Sequence, residues 1–132
     1  MAMSGQAPDA AAIERMAREA LSQIPEPFQS HLADVVLIVE EFADDETLDA
    51  MGIEDPYDLS GLYVGRPVGE KSSMDSGALP DRIHLYRRAI LDEWAMGGET
   101  LEWLVWHIIV HEVGHHFGLS DADIHALEDA AA

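Results

Sequence analysis

LEWLVWHIIVHEVGHHFG, residues 101–118, predicts a long helix that the rest of the domain packs against. Thr100 or Gly98 lies near the expected N-cap, and Gly118 is the natural C-terminal stop because glycine readily adopts the left-handed conformation. One face of this helix is apolar and can pack on strands, and it is formed by Leu101, Leu104, Val105, Ile108 and Ile109.

The rest of the chain predicts a few short elements around this helix. Periodicity and turn residues indicate a helix at 9–24, strands at 34–40, 62–65 and 81–90, a short helix at 44–52 and a last short helix at 121–130. The stretch 65–80 is rich in Gly, Ser and Pro and predicts a loop. Few strands with hairpin-like connections favour an α+β domain.

The long helix contains the pattern HExxH, in which residues four apart lie on one helical face. His111 and His115 can therefore direct two imidazoles at one metal ion. Glu112 lies about 100° round the helix from His111. Its carboxylate reaches a water molecule on the ion more readily than the ion itself. The pattern thus predicts two zinc ligands and one general base.

A third ligand is expected, because catalytic zinc sites usually combine three protein ligands with one open position. Gly118 can end the helix and fold the chain back, which would bring Asp121 towards the same ion. The pattern then becomes HExxHxxGxxD. We predict that His111, His115 and Asp121 bind one Zn²⁺ ion and that Glu112 is the general base.

Two neighbouring residues offer alternative ligands. Glu128 is the candidate on the last helix, although its short distance in sequence from His115 leaves little chain to cross a cleft. His107 lies one turn before His111 and could extend the row of histidines. Three ligands on one straight helix cannot surround an ion, so packing or a hydrogen bond is the expected role of His107. His116 is rotated away from the row, which favours a supporting or core position.

Composition argues against two classes of partner. The chain has 26 acidic and 7 basic residues and a formal net charge of −19, so it has no attraction for nucleic-acid backbones or anionic membranes. A basic peptide partner is compatible with that charge. There is no cysteine for a disulfide or a thiolate ligand. Because neither a signal peptide nor an apolar run of about 20 residues is seen, we expect a cytoplasmic single domain over residues 1–132, with residues 1–8 disordered.

Three segments together resemble the small bacterial zincin-like metallopeptidases, also called minimal zincins. They are GLYVGRP, LPDRIHLYRRAI and HIIVHEVGHHFGLSDADI, and they fall in the larger, C-terminal part of the chain. The resemblance implies a small mixed sheet of three or slightly more strands, packed on an N-terminal helix and an active-site helix, with a short C-terminal helix. It also implies zinc-dependent hydrolysis of peptide bonds.

The resemblance assigns roles to individual residues. His111, His115 and Asp121 match the metal ligands of the family motif, and Glu112 matches its general base. Ile83, His84, Leu85 and Tyr86 match the edge strand along which an extended peptide could pair. Unlike metzincins, the chain has no methionine after Met96, so no Met-turn can lie beneath the site.

Zincins usually add a second group that stabilises the oxyanion. Spacing favours none of the candidates, which are His84, Tyr86, Tyr63 and His125. Asp123 could orient a ligand histidine through a hydrogen bond, or it could cap the last helix.

Three functions compete on this sequence. The first is a zinc metallopeptidase that acts on a peptide or protein substrate. The second is a zincin-shaped module that holds metal or peptide with little or no turnover. The third is a structural protein whose histidines lie in the core. A homodimer is compatible with all three.

Overall fold

The computed structural model describes residues 6–65 and 80–131. Within these ranges the chain forms five α-helices and three strands, which confirms the α+β class. In chain order the elements are α1 (Ala10–Gln23), β1 (Val36–Glu40), α2 (Asp45–Met51), β2 (Gly61–Val64), β3 (Arg82–Tyr86), α3 (Arg87–Met96), α4 (Leu101–His116) and α5 (Asp121–Ala131). Single 3₁₀ turns at Gln29–His31 and Pro56–Asp58 lie in the connections.

The three strands form one mixed sheet in the order β1–β3–β2. β3 pairs in parallel with β1 and antiparallel with β2. Because side chains alternate along a strand, Ile83 and Leu85 point to one face, where they are fully buried with α1 and α4. The predicted three-stranded mixed sheet, packed on the N-terminal helix and the long helix, is confirmed.

The position of β3 overturns one prediction. Ile83, His84, Leu85 and Tyr86 were expected to form a substrate-binding edge strand, yet β3 is the central strand. Both of its hydrogen-bonding edges are occupied, the first by β1 and the second by β2. No peptide can add to a strand that is already paired on both sides. The edge strands of the described sheet are β1 and β2.

The strand predicted at 81–90 is also too long. It ends at Tyr86, and the chain turns directly into α3, which no pattern in the sequence had indicated. Tyr86 precedes α3 without any capping side-chain hydrogen bond, so the usual N-terminal signal is missing. The backbone is fixed instead by tertiary contacts, because Ala89 and Ile90 are fully buried.

Helix α4 has the predicted ends. The Thr100 side chain accepts a hydrogen bond from the Trp103 N–H, 3.1 Å away, at the N-terminus. At the C-terminus Gly118 has φ of +75°. The N–H groups of Gly118 and Leu119 donate to the carbonyls of His115 and Gly114. This pair of bonds is a Schellman motif, which ends the helix and reverses the chain.

After this reversal α5 packs tightly on α4. Gly114 makes the approach possible, because a Cβ atom placed there would lie 2.5 Å from Cγ1 of the buried Ile124. α5 begins with its own cap, in which the Asp123 N–H donates to the Ser120 hydroxyl over 3.1 Å. The two antiparallel helices therefore form a close hairpin that carries the whole motif.

Two expectations concern residues outside those described. The predicted disorder of residues 1–8 falls largely on 1–5, and the predicted loop at 65–80 falls largely on 66–79. Among the helices that the structure does describe, none is long and apolar enough to cross a membrane.

Candidate functional site

The two motif histidines lie side by side on the outer part of α4. The ring centroids of His111 and His115 are 5.8 Å apart, and the rings are nearly perpendicular at 81°. Two imidazoles that share a zinc ion have centroids about 5 Å apart, given Zn–N bonds of about 2 Å. The helix therefore places the pair close to the separation that a shared ion requires.

Asp121 comes back to the same end of α4 through the turn at Gly118. It is the first residue of α5, and its Oδ1 lies 3.9 Å from His115 Nε2. The Asp121 side chain is 98 % exposed, so it meets no steric barrier to a small rotation. The predicted reversal at Gly118 is confirmed, whereas the role of Asp121 as a ligand stays a prediction.

The Glu112 side chain points towards β2 and not along the row of His111 and His115 on α4. Its Oε1 accepts a hydrogen bond from the Tyr63 N–H over 3.1 Å. Burial raises the pKa of Glu112, and the Tyr63 hydrogen bond and the nearby His115 partly oppose that rise. The carboxylate is thus held in one place by a backbone donor, which suits a group that must meet a reacting water.

The Tyr63 N–H lies on the open edge of β2, by which we mean the edge that pairs with none of the other described strands. The Tyr86 N–H donates to the Ser60 carbonyl, so residues 60, 62 and 64 form the hydrogen-bonded pairs with β3. Gly61 and Tyr63 therefore direct their backbone groups away from β3. Gly61 also lets β2 lie close to α4, because a Cβ atom there would be 2.8 Å from Ile108 Cγ2.

A polar cluster formed with Asp81 and His116 fixes the side chain of Tyr63. The Tyr63 hydroxyl donates to Asp81 Oδ2 over 2.8 Å, and its ring stacks on His116 at 4.0 Å. His116 Nε2 lies 3.8 Å from the same Asp81 oxygen. The expected supporting position of His116 agrees with these contacts, and they hold β2 against α4 beside Glu112.

The surroundings of His111 favour the neutral imidazole, which is the form that binds metals. Burial lowers its pKa, and the neighbouring His107 lowers it further, against a smaller opposite effect of Glu128. A neutral imidazole keeps a lone pair for a metal ion. The environment of His111 therefore favours the metal-binding form near neutral pH.

Several predicted helpers make their main contacts outside the motif. His84 and Tyr86 point to the face of the sheet opposite Ile83 and Leu85, where His84 Nδ1 lies 2.7 Å from Glu40 Oε1 and Tyr86 packs in a second apolar cluster. On α5, His125 is exposed and pairs with Asp129 at 3.5 Å. The structure does not bring His84 or His125 to the motif, whereas Tyr86 lies near enough to Glu112 for that carboxylate to help raise the pKa of Tyr86. The bond at Asp123 runs from its backbone N–H to the helix cap, as described above.

The contacts of Glu128 with the histidines of α4 were only partly predicted from the sequence. Both carboxylate oxygens of Glu128 lie 2.9 Å from His107 Nδ1, which agrees with the expected hydrogen-bonding role of His107. Oε2 of Glu128 also lies 3.5 Å from His111 Nε2. The spacing of His107 and His111, one turn apart, was the available signal, but the arrival of Glu128 depends on how α5 packs.

The tyrosines of this region give a prediction about alkaline pH. Burial, followed by the acidic groups Glu40, Asp44 and Glu112, raises the pKa of Tyr86 to about 12. Burial and the hydrogen bond to Asp81 also raise the pKa of Tyr63 well above its usual value. The folded protein therefore keeps protons that the unfolded chain loses above about pH 10. This contribution to stability is fully present below that pH and is lost as the pH rises towards about 12.

The measurement is a spectrophotometric titration of phenolate beside circular dichroism. We expect the free energy of unfolding to fall between about pH 10 and pH 12, and to fall less in a Tyr86→Phe variant. Full phenolate absorbance from all three tyrosines at about pH 11, with the fold intact, would contradict this assignment.

Comparison with known proteins agrees with the motif. The family model described as zincin-like metallopeptidase matches residues 32–131. That range includes β1 to β3, the HExxH helix and α5. No curated protein matches the chain. Since the family model covers most of the sequence, the chain belongs to the zincin-like metallopeptidase family.

Proposed function

We propose that this chain is a zinc-dependent peptidase that uses His111, His115 and Asp121 as metal ligands and Glu112 as general base. The observation that carries the proposal is the position of the Glu112 carboxylate. It lies on the motif helix beside the histidine pair, and the Tyr63 N–H at the open edge of β2 holds it there. The proposed base, the two proposed histidine ligands and the edge of β2 thus lie near one another.

The donor set suits zinc. Two imidazoles and one carboxylate are common ligands of catalytic zinc, and neighbouring ligand atoms around a tetrahedral ion are about 3.4 Å apart. The separation of 3.9 Å between His115 Nε2 and Asp121 Oδ1 needs only a small closure. At least one of the distances from His111 to these two ligands exceeds 4.8 Å, so the His111 ring would also have to move. Zinc bound there would supply Lewis acidity, which polarises a carbonyl group and lowers the pKa of a water molecule.

The protein's own groups would then handle the proton. Glu112 would accept a proton from the attacking water and later pass it to the departing amine. The Tyr63 N–H fixes one carboxylate oxygen, Oε1, which leaves Oε2 for this exchange. The cluster of Tyr63, Asp81 and His116 would keep that N–H in place during the reaction.

The open edge of β2 is the surface we propose for the substrate. An extended peptide could pair with the outward backbone groups of Gly61 and with the Tyr63 carbonyl, because the Tyr63 N–H is bound to Glu112. Its scissile bond would then lie near Glu112. The formal net charge of −19 favours the approach of basic peptides. β2 thus takes the role that the sequence had suggested for β3.

The test is hydrolysis of a diverse peptide library before and after removal of zinc. The zinc-loaded protein is expected to cleave a subset of peptides. Dialysis against a chelator should reduce cleavage to the uncatalysed background, and added zinc should restore it. Cleavage that persists after the metal has been removed would contradict the proposal. Stoichiometric zinc without any cleavage would instead favour a metal- or peptide-binding module.

A further inference from the structure

A second set of ligand-type atoms lies one helical turn before the motif. It consists of His107 and His111 on α4 and Glu128 on α5, whose ligand atoms all lie within 4.8 Å of one another. Among the residues that the structure describes, this is the set of three that meets that distance. The motif does not predict it, because two of its members lie outside HExxHxxGxxD.

The geometry of this set is suited to a small transition-metal ion. Around a tetrahedral zinc ion, neighbouring ligand atoms are about 3.4 Å apart. Glu128 lies 2.9 Å from His107 Nδ1 and 3.5 Å from His111 Nε2, so the observed separations bracket that value. Small side-chain movements would therefore complete the site.

The exposure of the three side chains also suits a metal site. Glu128 is 4 % exposed, and its carboxylate faces the imidazoles of His107 and His111, which carry charge only when they are protonated. A buried carboxylate is costly unless a positive charge neutralises it, and a metal ion would supply that charge. His107 and His111 each remain about one-third exposed, at 34 % and 32 %. An ion could enter from that side and keep one position open to solvent.

We propose that His107, His111 and Glu128 form a second position for a divalent transition-metal cation, which competes with the motif position for His111. A neutral imidazole has one lone pair for a metal, so His111 can bind only one ion at a time. The second position stands on its own geometry. The competition rests on the proposed function of the motif site.

An ion in the second position would be catalytically silent. In the motif the residue after His111 is Glu112, which is the proposed base. The residue after His107 is Ile108, which is buried against the sheet and cannot accept a proton. Glu112 is bound to Tyr63 and faces β2. Filling the second position would therefore withdraw His111 from the motif site without creating another active site. Because each ion occupies one position or the other, the inactive fraction of the bound zinc should not depend on the zinc concentration.

The binding test uses the full chain, stripped of metal and titrated with Co²⁺ as an absorbing probe and with Zn²⁺ by calorimetry. His115→Ala disables the motif position, and this variant is expected to bind one ion still. Adding His107→Gln or Glu128→Gln to it should weaken that binding at least tenfold. His125→Ala, an exposed histidine on the same helix α5, is the matched control and should change nothing.

The outcomes separate this inference from the proposed function. If His115→Ala binds no ion, or if neither second substitution weakens binding, the second position is refuted. Two ions bound at once to the wild-type protein would refute the competition. Binding by His115→Ala that depends on His107 or Glu128 supports the second position even if no peptide is ever cleaved. Circular dichroism on each variant checks that it is folded. If one of the two second substitutions prevents folding, the other still tests the second position.

The kinetic counterpart is the dependence of peptide hydrolysis on zinc. Wild-type activity should rise to a plateau at about one equivalent of zinc, because the division of the ion between two mutually exclusive positions does not depend on the zinc concentration. His107→Gln should hold its ion at the motif position and reach a higher plateau. An identical activity per bound zinc in both proteins would show that the second position does not withdraw zinc from the motif.

Discussion

Replacing Glu112 with glutamine is expected to lower kcat/KM for peptide hydrolysis by about 10²- to 10⁴-fold, the range typical of a lost general base. The amide is nearly isosteric with the carboxylate, and its oxygen can still accept the Tyr63 N–H. It cannot take up a proton from water. Glu112 is not among the proposed ligands, so zinc binding should be retained.

Two measurements make this result specific. The ratio of zinc to protein should be the same in Glu112→Gln and wild type, while kcat/KM differs. Glu102→Gln is the matched control, because Glu102 is an exposed glutamate in the first turn of the same helix. Equal cleavage by Glu112→Gln and wild type would mean that Glu112 is not the base.

The second large effect is expected at Gly114, in the middle of the motif. In Gly114→Ala the new methyl group would lie 2.5 Å from Ile124 Cγ1 and 2.9 Å from its Cδ1. Alanine gains about 1 kcal/mol of helix propensity over glycine, but overpacking a core typically costs about 1–3 kcal/mol, occasionally more. Ile124 is fully buried and cannot swing into solvent, so we expect the cost to lie near the upper end of that range, at about 3 kcal/mol. The expected net loss in unfolding free energy is then about 2 kcal/mol.

The same change should weaken metal binding, because α5 carries both Asp121 and Glu128. A double-mutant cycle with Ile124→Ala tests the cause, since that truncation removes both clashing carbons. Urea unfolding should show the double variant to be less destabilised than the sum of the single ones. Strict additivity would mean that Gly114 and Ile124 do not set the distance between the helices.

The parts of the fold that could be predicted are those encoded by neighbouring residues. Thr100 and Gly118 act as the ends of α4 through contacts within a few residues, and each lies where its residue type indicated. The pairing of His111 with His115 follows from helix geometry alone. Asp121 reaches the same place because one glycine conformation determines the reversal before it.

The parts that could not be predicted depend on distant residues. β3 has polar side chains on alternate positions, as an edge strand often does. It is nevertheless the central strand, since β1 and β2 pair with its two edges. Its polar side chains lie on the face of the sheet that is only partly covered. The contact of Tyr63 with Glu112 joins residues 49 positions apart. No local pattern distinguishes that tyrosine from the others.

The hairpin of α4 and α5 also has a consequence for how the protein assembles. Every proposed metal ligand lies between His107 and Glu128, so bringing them together closes only a short loop and costs little chain entropy. The base is different, because its backbone donor belongs to a strand that arrives only through contacts of high sequence separation. Capture of the ion thus requires two helices, whereas a positioned base requires the completed fold.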